Sequence, residues 1–179
     1  TASTMACITE SLGLSLPMSA TIPAPHAERF RSAEASGRVA AEMAKTKGPK
    51  PSEILTPASF RNAQVVMQAI GGSTNGLIHL TAIANRSPHK IDLEAFDRLG
   101  REVPVLVDLK PSGEHYMEHF HHAGGVPKLM AQLGDLIDLD ARTITGQTLR
   151  EVVANAEDVP GQDAIRSKAN PIKSEGAMA

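Results

Sequence analysis

At 179 residues the chain can bury a sizeable core, and its 41% hydrophobic and 21% charged composition reads as soluble and globular. A formal charge of −2, with Lys and Arg dispersed rather than clustered, excludes nucleic acid and other polyanions as partners. No apolar run approaches the roughly 20 residues of a membrane span, and no signal segment opens the chain.

The single cysteine, Cys7, excludes a disulfide framework and any cluster or zinc site built from the chain's own thiolates. That cysteine usage points to an intracellular compartment. With four Phe, one Tyr and no Trp, the core must be made of Ala, Leu, Ile, Val and Met.

In chain order, residues 1–13 suit a short helix stopped by Gly13, after which Pro17, Pro23 and Pro25 punctuate an extended stretch. From Pro25 to about Lys47 the spacing predicts a helix. Phe30, Ala33, Gly37, Ala40, Ala41 and Ala44 share one face, and their small size implies close packing against a neighbour. Lys47–Pro51 is a loop. Thr56 and Pro57 form an N-cap and first-turn pair for a helix carrying Phe60, Ala63, Met67 and Ile70, which Gly71-Gly72 ends.

A further helix over 73–84 is apolar nearly all round and is expected to be buried. Asp92 caps a short helix through Leu99. Val103–Leu109 is a near-continuous apolar run, as in a parallel strand covered on both faces. A turn at Lys110–Gly113 follows, then helices over about 114–122 and 126–133. Thr148 and Glu151 make a capping-box pattern for a last helix. Helices with at least one buried strand predict an α/β class, the helix-rich layered part of an α/β/α domain.

The ends also carry information. The chain opens at Thr1 without an initiator Met and closes on a polar, turn-rich stretch, so it is expected to be a segment of a longer protein. Such a segment, incomplete on its own, would expose strand edges and apolar faces; marginal stability or association is expected.

Several groups of residues could carry chemistry. Thr1, Ser3 and Thr4 place hydroxyls at a helix start, where unpaired N–H groups attract anions, although ordinary capping would use the same residues. Gly71-Gly-Ser-Thr-Asn75 joins two apolar helices. Its glycines permit close backbone approach, and Ser73, Thr74 or Asn75 could bond a ligand or simply cap the second helix. His79, inside an apolar helix, reads as a satisfied core residue.

His115-Tyr-Met-Glu118-His119 fits the H-x-x-E-H zinc-protease pattern, with Glu151 or Glu157 available as a third ligand. Gly113 and Gly124-Gly125 leave barely two helical turns for it, which weighs against zinc chemistry. Because ligands in open α/β sheets bind beyond the carboxyl ends of strands, His119 or His121 could instead line a cleft without a metal. A zinc hydrolase using His115, Glu118 and His119, or a non-catalytic helical interaction domain, stands as an alternative reading of the function.

Taken together and in order, these motifs resemble the dihydroxy-acid/6-phosphogluconate dehydratase family. The resemblance rests on Thr1-Ala-Ser-Thr-Met-Ala6, Ser11-Leu-Gly-Leu-Ser-Leu-Pro17, Ala69-Ile-Gly-Gly-Ser-Thr-Asn75, Ile78-His-Leu80 and Val103-Pro-Val-Leu106. Leu109-Lys-Pro-Ser-Gly113, Met117-Glu118, Phe120-His-His-Ala-Gly-Gly-Val-Pro127 and Thr143-Ile-Thr-Gly-Gln-Thr-Leu149 continue it over nearly the whole chain.

The resemblance implies an enzyme that removes water from a 2,3-dihydroxy carboxylate to give a 2-keto acid. Such enzymes use an iron–sulfur cluster as Lewis acid for the leaving hydroxyl and a Mg²⁺ that holds the substrate. It implies that the cluster cysteines, the Mg²⁺ ligands and the base Ser lie outside these residues, and that Cys7 matches no ligand position. Residues 1–165 would then belong to the N-terminal α/β domain and 166–179 to a linker towards a C-terminal β-rich domain.

Under the same resemblance the segment alone is inactive. Thr1, Ser3, Thr4, Ser73, Thr74, Asn75 and His121 would line the substrate or cluster pocket. Thr-Ala-Ser-Thr-Met and Ile22-Pro-Ala-Pro25 lean towards the sugar-acid branch rather than the branched-chain dihydroxy-acid branch. A homo-oligomer in the cytoplasm, or in mitochondria for a eukaryotic source, is implied for the full-length protein, with a small dihydroxy acid as its ligand.

Overall fold

The structure, a computed structural model, describes residues 2–176 and 178. Its α-helices are α1 (Ala2–Ser11), α2 (Glu28–Thr46), α3 (Pro51–Ile54), α4 (Pro57–Ala69), α5 (Thr74–Ala84), α6 (Leu93–Glu102), α7 (Met117–His122), α8 (Gly125–Leu133) and α9 (Leu149–Ala154).

The centre of the fold is α4, whose residues from Ser59 to Ala69 are mostly buried. Thr56 starts it as expected: its hydroxyl accepts from the Ser59 amide at 3.2 Å, and Pro57 takes the first turn, where its missing N–H costs nothing. Helices α1, α5, α6 and α8 pack around α4. Two apolar clusters result. One joins Ile8, Leu12, Phe60, Ala63, Met67, Leu80 and Phe96 on the α1–α5–α6 side. The other joins Val65, Val66, Leu106, Phe120, Val126 and Leu129 on the opposite side of α4. The remaining caps also match: Asp92 accepts from the Glu94 and Ala95 amides, and the Thr148 amide donates to Glu151 Oε2 at 2.7 Å.

The helix-rich expectation holds, but the layered sheet does not appear among the described residues. Val103–Val107 is extended and buried, and it pairs through isolated antiparallel bridges, Val105 with Lys173 and Val107 with Ile165. On its other edge the Leu106 amide donates to the Ala69 carbonyl at 2.9 Å. The apolar run thus records burial on both sides, and its parallel pairing is confined to an isolated, local bridge between Leu109 and His115. The tail partners mean that the stretch read as a linker lies along the domain. Met178 is buried in the core with Ile8 and Phe96.

Two helices differ from expectation for the same reason, that periodicity does not say which face finds a partner. No residue of α2 is buried. The face carrying Phe30, Ala33, Gly37, Ala40, Ala41 and Ala44 points outward, with Phe30 80% exposed, while Ser32, Ala35, Val39 and Met43 form the half-buried side. Similarly, α5 buries only Gly76, Leu80 and Ala84. Ile78 is 65% exposed and His79 lies on the open face, not in the core.

The expected helix over 114–122 begins only at Met117. The short α3, inside the Lys47–Pro51 loop's downstream edge, was not foreseen; Pro51 at its first position and Glu53 accepting from the Lys50 amide at 2.7 Å support it. No helix among the described residues is long and apolar enough to cross a membrane.

Candidate functional site

A cavity of about 450 Å³ opens where α1, the α4–α5 turn and the Leu109–Ser112 turn meet. From α1 it takes Ser3, Thr4 and Cys7, which share one face because they are three and four residues apart. From the glycine turn it takes Gly71, Gly72, Ser73 and Thr74, and from the later turn Lys110, Pro111 and Ser112.

The glycines make this convergence possible. Gly71 has φ +63°, which an L side chain resists, and a Cβ on Gly72 would lie 2.9 Å from the Met67 carbonyl oxygen. Beyond the turn, Ser73 caps α5 by accepting from the Asn75 amide at 3.3 Å. Its own amide donates to Thr4 Oγ1 at 3.2 Å, a direct tie between the starts of the two helices. Both α1 and α5 therefore begin at the cavity, and the partial positive charge of two helix N-termini falls on hydroxyl-rich walls.

Of the residues singled out in the sequence, Ser3, Thr4, Ser73 and Thr74 come together here. Thr1 lies outside the described residues. Asn75 is exposed on α5 and does not line the cavity. His121 does not line it either. It is buried at 7% exposure, its Nδ1 3.0 Å from Thr21 Oγ1 and its Nε2 3.1 Å from Glu28 Oε2. These bonds fasten the 14–27 segment and the start of α2 to α7.

The zinc pattern is not assembled. His115 precedes α7, so His115 and His119 are not successive turns of one helix. Its Nε2 sits 3.1 Å from Asp163 Oδ1 and 4.0 Å from Asp108 Oδ2, while His119 Nδ1 accepts from the Tyr116 amide at 3.1 Å. Glu118 faces His26 and His122 instead. Glu151 is spent capping α9, and Glu157 is exposed. Among the described residues no group of three or more His, Cys, Asp or Glu is placed to hold a metal ion.

Three further residues bear on the site, of which Glu10 and Lys110 were not singled out from the sequence. Cys7 lines the cavity, yet burial, with the Glu10 charge adding to it, pushes its thiol well above the usual range. Glu10 is 3% exposed, and burial raises its carboxyl to about 7 although the Ala20 and Met18 amides donate to it. No sequence signal marks it, since a Glu in a short helix ordinarily faces water. Lys110 had a usable signal, its position at the carboxyl end of the buried extended run.

The sequence profile of the family described as Dihydroxy-acid/6-phosphogluconate dehydratase N-terminal matches residues 1–152. The chain is 45% identical over 183 aligned residues to a dihydroxy-acid dehydratase of Synechocystis sp., covering all of this chain and 32% of that protein. It is 42% identical to the dihydroxy-acid dehydratase of Acetivibrio thermocellus, again over all of this chain and 32% of the relative. For the Methanococcus maripaludis enzyme the identity is 44%, over 96% of this chain and 31% of the relative. The chain thus spans about a third of the length of the curated relatives it matches.

Proposed function

The chain belongs to the dihydroxy-acid/6-phosphogluconate dehydratase family, and we propose that the whole protein is a hydro-lyase that converts a 2,3-dihydroxy carboxylate to a 2-keto acid. The similarity to dihydroxy-acid dehydratases favours a dihydroxy acid over the sugar acid towards which the Thr-Ala-Ser-Thr-Met run leans. In this reading the segment itself is inactive and supplies one wall of the substrate pocket.

The observation that carries the role is the convergence of Ser3, Thr4, Ser73 and Thr74 on one cavity at two helix N-termini. Hydroxyls that both donate and accept suit a polyhydroxylated acid, and the N-terminal dipoles favour its negative charge. The family's iron–sulfur cluster and Mg²⁺ are not accommodated by these residues alone. The chain has a single, buried thiol where a cluster needs several, and no carboxylate–imidazole group among the described residues is arranged around an ion. Their ligands belong, in this proposal, to other segments of the protein.

The same reading makes residues 1–165 part of an α/β/α domain whose sheet is completed elsewhere, and 166–179 the passage towards a β-rich domain. It makes the protein a cytoplasmic homo-oligomer, mitochondrial if the source is eukaryotic. Assay of the full-length protein, purified without oxygen and reconstituted with iron and sulfide, on 2,3-dihydroxy-3-methylbutanoate and on gluconate tests it. Formation of 2-keto acid from one of them is the expected result, and formation from neither ends the proposal. Ser73→Ala is expected to raise KM, and Asn75→Ala, outside the cavity, to change it less.

A further inference from the structure

We propose that Lys110 is the charge-reading residue of this cavity, a preplaced ammonium that takes the carboxylate of the ligand while Tyr116 positions it. The inference rests on the functional reading above only for the identity of that ligand.

Lys110 supplies the only cationic side chain among the residues that line the cavity. It comes three residues after the buried Val103–Val107 run, and its backbone is fixed because its amide donates to the His115 carbonyl at 2.8 Å. The side chain is held as well. Nζ donates to the Tyr116 hydroxyl at 3.1 Å and stands 4.3 Å from the centroid of the same ring. A lysine with no task beyond solubility would spread over many rotamers, so this restraint removes part of the entropy that ligand capture would otherwise cost.

Its charge is also left unneutralised. No carboxylate among the described residues lies within ion-pair distance of Lys110 Nζ, whereas Lys128 and Lys168 pair with Asp158 and Asp135. Asp108, two residues away, is engaged elsewhere: its Oδ1 accepts from the Glu114 amide at 2.9 Å, and its Oδ2 faces His115. The cavity therefore combines one available cation with hydroxyls and helix N-termini, all favouring an anion, and no lining carboxylate opposes it.

Calorimetric titration of the full-length protein with 2-oxobutanoate, and with the uncharged 2-oxobutanamide as control, tests the assignment. Lys110→Met is expected to weaken the anion about tenfold and Lys110→Arg to keep most of the affinity, with the amide unchanged in both. Tyr116→Phe keeps the ring but loses the hydroxyl contact; a smaller loss for the anion alone is expected. Unchanged anion binding in Lys110→Met overturns the proposal, as does equal weakening of anion and amide, which would mark a structural role. Failure of the wild type to bind the anion overturns it too. Because the readout is binding, a wild type that binds the anion through Lys110 but dehydrates neither substrate would refute the functional reading and leave this one standing.

Discussion

The side-chain amide of Gln68 in α4 grips the backbone of Met178 from both sides, donating to its carbonyl and accepting from its amide at 3.1 Å each. Asn62, two turns earlier on α4, treats Asp138 identically, with both bonds at 2.8 Å. Each side chain mimics a strand neighbour, satisfying the N–H and C=O of one residue where no sheet supplies a partner.

Because both amides are fully buried, their removal leaves donors and acceptors unpaired. Asn62→Ala and Gln68→Ala are each expected to cost about 2–4 kcal/mol, the loss of two bonds plus a desolvated peptide group. Urea denaturation curves check this. Asn62→Asp should be no better, since a carboxylate cannot donate to the Asp138 carbonyl.

Glu10 predicts a pH dependence of stability. Its carboxyl is raised to about 7 in the fold against 4.5 ordinarily, chiefly by burial. The folded state thus holds the proton more tightly, so stability is greatest below the unfolded value and falls as pH rises from about 4.5 through about 7, by on the order of 3 kcal/mol. Glu10→Gln is expected to flatten that decline in denaturation midpoints measured at pH 5 and pH 8. Asp135, lowered by its bond to Lys168, and Glu151, lowered by the Thr148 amide, act below this window, losing their contributions as pH falls.

The exposed helix α2 predicts a stabilising glycine replacement. A Cβ on Gly37 would meet nothing within 4 Å, and its helical backbone suits alanine. Gly37→Ala should stabilise α2 by about 0.5–1 kcal/mol. Hydrogen exchange reads it locally: α2 amides, with no buried side chain to protect them, are expected to exchange far faster than those of α4, and the variant to slow α2 alone.

Gly76 predicts the opposite. Its Cβ would stand 2.8 Å from Thr4 Cγ2 and 2.9 Å from Ile8 Cδ1, so Gly76→Ala must displace these side chains or push α5 off α1. A loss of about 1–3 kcal/mol is expected from the overpacking. In the full-length protein, KM should rise as well, because the crowded Thr4 is the residue whose hydroxyl ties Ser73 at the cavity. A Gly76→Ala protein with unchanged melting temperature would contradict the close approach.

The local parts of the fold were legible because their causes are local. Thr56-Pro57, Asp92 and Thr148 with Glu151 announce helix starts through bonds within one turn, and the structure uses each of them. The cavity was half legible: the hydroxyls of α1 and of the glycine turn were marked by type, but nothing in spacing joins Thr4 to Ser73, nor shows that His121 turns instead to Thr21 and Glu28.

The sequence by itself determined most of the helices, the caps at Thr56, Asp92 and Thr148, the buried Val103–Val107 run and the family, since propensity, capping chemistry and ordered motifs act over a few residues at a time. Only the tertiary structure decided which faces are covered. An apolar stripe such as Phe30–Ala44 states that burial would be favourable, not that a partner exists. A carboxylate such as Glu10 is withdrawn from water only when the 14–27 segment folds over it. Burial is a property of long-range contacts, and that physical fact separates what the chain spells out from what its packing settles.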